Sequence, residues 1–169
     1  MSALHPLIIH FAIALLLIGP AMDTLGLLLR REGLLIAGRW NVLVGAVMLL
    51  FAEATGFGAQ AGLGPHSPAG EALLNLHAGL GYLCMAIWLP VAVWRGASKQ
   101  LLPLRLRTLY LVLSFTGATL VLAQAGLGAA LIYRHGVGLS PAARAEPMIH
   151  QPAAPAAIDH PRMTLPVKN

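Results

Sequence analysis

Charge is scarce in this chain. Only 10% of its 169 residues are Asp, Glu, Lys or Arg, while 57% are hydrophobic, a balance too apolar for a soluble domain of this size. A single cysteine, Cys84, has nothing to pair with, which excludes a disulfide framework and leaves packing as its expected role. Aromatic residues are few and are not interleaved with the basic ones. The formal net charge of +5 therefore does not point to nucleic acid. No serine-nucleophile motif, phosphate-binding loop or carboxylate pair supports a hydrolase. The reading disfavours a stand-alone enzyme.

Long apolar runs are abundant. Four of them, at about residues 5–29, 35–58, 71–94 and 108–133, match or exceed the roughly 20 residues that cross a bilayer. The first lacks a preceding basic residue and a small-residue cleavage site, so it reads as a retained helix and not as a signal peptide. The expected fold is an all-α membrane protein, an antiparallel four-transmembrane-helix bundle over residues 1–138. Residues 139–169 hold six prolines and read as an extended or disordered outer-face tail. No internal repeat is apparent.

Basic residues set the topology. Arg30, Arg31 and Arg39 fall at the first connection and Arg95, Lys99, Arg105 and Arg107 at the third, whereas the second has neither Lys nor Arg. By the positive-inside rule the first and third connections are cytoplasmic, which places both termini outside a bacterial-type inner membrane. Asp23 lies deep enough to need a partner, for which Arg39 or Asn41 is expected. Trp88 and Trp94 are expected to mark the headgroup level near the cytoplasmic end of the third helix. Gly136 suits a C-terminal cap, and Pro20 and Pro90 suggest kinks.

This topology gathers His5, His10, Glu53, His66, His77, Arg134 and His135 on the outer side. His10, Glu53 and His77 share one depth, roughly 6 to 10 Å inside their helix ends at about 1.5 Å per residue. Intramembrane ionisable residues usually face the bundle interior and mark function, and imidazole is the commonest metal ligand. The first and third helices are diagonal in a sequential bundle, so His10 and His77 can ligate one haem b iron from opposite sides. In that scheme Glu53 and His135 handle protons or brace the ligands, and Arg134 pairs with a propionate. The alternative is a single Zn, Cu or Fe ion held by His5, His10, Glu53 and His77, although His5 and His10 diverge by about 140° around a helix. Met148, His150, His160 and Met163 in the tail form a mixture that can bind copper.

The opening His5-Pro-Leu-Ile-Ile-His10-Phe, the Leu76-His77-Ala78 of the third helix and the closing Tyr133-Arg134-His135-Gly136-Val137 resemble the bacterial membrane family known as domain of unknown function 2231. Ala12 stands where that family usually has proline. The resemblance implies a membrane domain often found beside respiratory and c-type cytochrome components. The functional expectation is a haem-b-binding membrane subunit that passes electrons between an outer-face redox partner, such as a c-type cytochrome, and quinone or a larger respiratory complex. A cofactor-free accessory subunit of such a complex is the alternative.

Overall fold

The structure, a computed structural model, describes residues 4–64, 67–98, 102 and 106–139. His66 and the tail residues Met148, His150, His160 and Met163 lie outside the described residues. Four helices make up the unit that ends at Gly138: α1 (Leu4–Leu29), α2 (Glu32–Gln60), α3 (Pro68–Ala97) and α4 (Arg107–His135). The shortest has 26 residues, about 39 Å at 1.5 Å per residue, which exceeds a hydrocarbon core of about 30 Å.

Local chemistry sets the helix ends. Ser67 caps α3 by accepting the Gly70 N–H at 3.1 Å, and Pro68 occupies the first turn, where its missing N–H has no intrahelical partner to lose. Gly136 ends α4 in the left-handed conformation (φ 60°) that glycine tolerates best, with its N–H on Ile132 O at 3.0 Å. Arg30 takes the same left-handed position after α1 (φ 53°), and the Arg31 N–H closes back on Gly26 O at 3.0 Å. Pro20 and Pro90 both lie inside continuous helices.

The helices form a ring in chain order. α1 packs on α2 and α4, α3 packs on α2 and α4, and the α1/α3 and α2/α4 pairs are diagonal. Leu28, Phe57, Val93 and Phe11 are exposed on the outside, an apolar exterior suited to lipid and not to water. The interior holds Leu16, Val42, Cys84, Trp88 and Tyr110, all fully buried. Trp88 is thus a core residue and not part of an interfacial belt. Its indole lies against Gly117, where a Cβ would come within 2.8 Å of Nε1.

The two hairpins share a register at a few interior positions. A shift of 72 residues carries buried Leu16 onto Trp88, Val42 onto Ser114 and Ala46 onto Ala118. It also carries Gly45, which seats Leu16, onto Gly117, which seats Trp88. α1 and α3 begin at the same end of the bundle.

At the end holding the α1–α2 turn, a buried polar cluster ties all four helices together. Arg95 Nη2 donates to Asp23 Oδ1 at 2.7 Å and to Leu35 O at 2.8 Å. Tyr110 OH donates to Asp23 Oδ2 at 2.6 Å, and the Arg95 guanidinium lies 5.8 Å from the Tyr110 ring centroid. Gly38 makes room, since a Cβ there would strike the Asp23 carboxylate. The expected partners of Asp23 are therefore corrected. Arg39 instead caps α3 through Gly96 O (2.7 Å) and Ser98 O (3.1 Å), and Asn41 bonds Ala37 O within its own helix at 2.8 Å. The sequence reading confined the search to the neighbouring helix, whereas the bundle interior brings α3 and α4 to the same carboxylate. Trp94, half-buried, meets the Tyr110 ring edge-on at 6.1 Å.

Candidate functional site

At the opposite end, a narrow cleft with a cavity volume of about 30 Å³ opens between the helices. Its polar residues are His5 from α1, Glu53 from α2 and His77 and Gln124 from α3 and α4, set among Ile9, Ile13, Leu49 and Val121. Apolar walls around a few converging polar groups are the usual make-up of a small-molecule site.

Each polar side chain has a defined support. His5 Nδ1 lies 2.9 Å from Ala52 O and 3.4 Å from Thr55 Oγ1. His77 Nδ1 lies 3.1 Å from Gln124 O. Glu53 Oε1 accepts from Gln124 Nε2 at 3.2 Å, a hydrogen bond across the α2/α4 diagonal. Gln124 therefore serves twice, bracing His77 with its carbonyl and Glu53 with its amide.

Glycines make the space. A Cβ at Gly81 would lie 2.5 Å from Glu53 Oε1 and 2.6 Å from Gln124 Nε2. One at Gly56 would lie 2.9 Å from His5 Cε1, and one at Gly128 would lie 3.2 Å from His77 Cε1. The polar pair and both imidazoles thus rest on positions where a side chain would force them to move.

Of the residues picked out from the sequence, the structure brings His5, Glu53 and His77 together. It does not bring His10 with them. His10 is exposed on α1, and its Nδ1–H donates to Pro6 O in the same helix. Arg134 is exposed, and half-buried His135 packs near Gly70 at the start of α3, both outside the cleft lining. Among the described residues no group of three or more His, Cys, Asp or Glu side chains is placed to hold a metal ion. The four-residue cage of His5, His10, Glu53 and His77 is accordingly not assembled. Sequence reasoning missed Gln124 altogether; the only available signal was a lone amide inside an apolar run, where polar side chains seek a partner on another helix.

A family model described as "Predicted membrane protein (DUF2231)" matches residues 1–141. Comparison with curated proteins and with solved structures gives no match.

Proposed function

Because the chain belongs to the DUF2231 family of predicted membrane proteins, we propose that it is a small electron-transfer subunit of the bacterial inner membrane that holds one haem b in the cleft lined by His5 and His77. It relays electrons between an outer-face partner, of the c-type cytochrome kind, and quinone or a larger respiratory assembly.

The observation that carries this reading is the convergence of two imidazoles from diagonal helices on one interior cleft. A bare ion in a protein site generally takes three or four side-chain ligands, and no such trio stands together among the described residues. A porphyrin iron needs only two from the protein. Bound there, haem supplies a one-electron couple. The chain's own residues then divide the work: Ile9, Ile13, Leu49 and Val121 keep water out, the Glu53–Gln124 bridge ties α2 to α4 beneath the imidazoles, and Arg134, exposed at the same end, is the cation available to a propionate.

Orientation follows from charge. Arg30, Arg31, Arg39, Arg95 and Arg107 collect at the end away from the cleft, so the positive-inside rule turns the cleft outward, with both termini on that face. The test is electron transfer by the purified protein in lipid nanodiscs. Reduction by a quinol, followed by reoxidation on adding an oxidised c-type cytochrome, is expected as the rise and fall of a b-type absorbance band. A protein that stays spectrally silent through both additions contradicts the proposal.

A further inference from the structure

We infer that the basic end of the seam between α1 and α4 is a binding site for an anionic membrane lipid, with Arg30 and Arg107 holding the headgroup phosphate. Lipid binding there is independent of what the cleft holds, because the cleft lies at the other end of the bundle.

Part of the positive charge at this end is already used inside the protein. Arg95 is buried against Asp23, and Arg39 is engaged by the Gly96 and Ser98 carbonyls. Arg30, Arg31 and Arg107 are exposed, and their guanidinium groups have no ion-pair or hydrogen-bond partner among the described residues. Glu32 is the exposed acid among the described residues at this end. α1 packs on α4. Arg30 follows the last residue of α1 and Arg107 is the first of α4, so two free cations flank one seam between neighbouring helices. Basic sites between transmembrane helices near the membrane surface are where anionic headgroups bind.

Local structure points the same way. Among the described residues, Arg30 (φ 53°) and Leu106 (φ 61°) are the non-glycine residues with a left-handed backbone. One stands directly after α1 and the other directly before α4, on the two sides of the same seam. Glycine would avoid the cost of that conformation, and strained backbone that persists clusters at ligand clamps. Arg107 also occupies the first turn of its helix, where the helix dipole disfavours a cation. An anion beside the two guanidinium groups offsets what each position costs.

The surroundings favour a lipid over a free anion. Leu28, Leu29, Leu106 and Leu109 are exposed at the same two helix ends, which places apolar surface for acyl chains next to the cations. A soluble phosphate gains nothing from that surface, whereas a phospholipid uses both parts.

The experiment follows the thermal unfolding midpoint of the full-length protein in a neutral detergent, alone and with phosphatidylglycerol, phosphatidylcholine or inorganic phosphate, and counts bound lipid by native mass spectrometry. Expected is that phosphatidylglycerol stays bound and raises the midpoint, while phosphatidylcholine and inorganic phosphate do neither. Arg30→Gly should unfold in detergent alone no lower than the parent, because its backbone strain is relieved, yet bind phosphatidylglycerol about fivefold more weakly. That combination separates loss of the lipid site from loss of fold. Arg107→Gln should show the same weakening, and Glu32→Gln, which removes the neighbouring negative charge, should show none. An equal response to phosphatidylglycerol and phosphatidylcholine overturns the inference, as does undiminished phosphatidylglycerol binding in both arginine variants. A midpoint shift reproduced in full by inorganic phosphate assigns the site to a soluble anion and overturns it likewise.

Discussion

Asp23 and Arg95 meet at 2.7 Å, both fully buried. Removing one partner of a buried pair strands the other, at a typical cost of about 3 to 5 kcal/mol. Asp23→Asn and Arg95→Leu should each lower the thermal unfolding midpoint in detergent by many degrees. The exchanged double variant Asp23→Arg with Arg95→Asp should recover part of that loss, because it rebuilds the pair at the same two sites. Recovery should be incomplete, since Tyr110 donates to the original carboxylate. An exchanged variant no more stable than the worse single variant would contradict the ion pair as the source of that stability.

At the scale of helices, the turn after α1 and the seats beneath the imidazoles are the sensitive points. Arg30 holds a left-handed conformation (φ 53°) that costs a non-glycine residue about 1 kcal/mol or more. Arg30→Gly should raise the unfolding midpoint modestly, and a fall would show that the Arg30 side chain contributes more than its backbone strain costs. Gly128→Val should push His77 off its carbonyl while leaving the histidine in the sequence, since a Cβ already comes within 3.2 Å of Cε1. Disturbing a ligand's support typically weakens metal binding about 10- to 100-fold, a loss measurable by hemin titration; an unchanged affinity would show that the seat is not needed. Most of this helical framework was legible in the sequence. Four apolar runs of spanning length gave the four helices, and Gly136 gave the end of α4. The shared register of the two hairpins was hard to read, because its traces are short, Leu4-His5 against Leu76-His77, Gly45-Ala46 against Gly117-Ala118 and Gly56 against Gly128.

Taken whole, the molecule has two polar levels separated by an apolar middle. One is a closed ionic cluster that ties four helices together; the other is an open cleft with two imidazoles. Depth along each helix was readable from sequence, and two residues chosen by depth, Glu53 and His77, line the cleft. Direction around each helix was not readable where the whole surface is apolar, because lipid and core then call for the same residue types. That is why His10, which is exposed, was preferred to His5, which lines the cleft, and why the partner of Asp23 was sought on the neighbouring helix and not across the interior.

The central claim is that the cleft at the histidine end holds a haem. A reduced-minus-oxidised visible spectrum of the detergent-purified protein, with pyridine haemochrome quantification on the same sample, tests it most directly. The account predicts a b-type spectrum at about one haem per chain, as two axial histidines from one chain require; a purified, folded protein with no porphyrin, even after incubation with hemin, would contradict it.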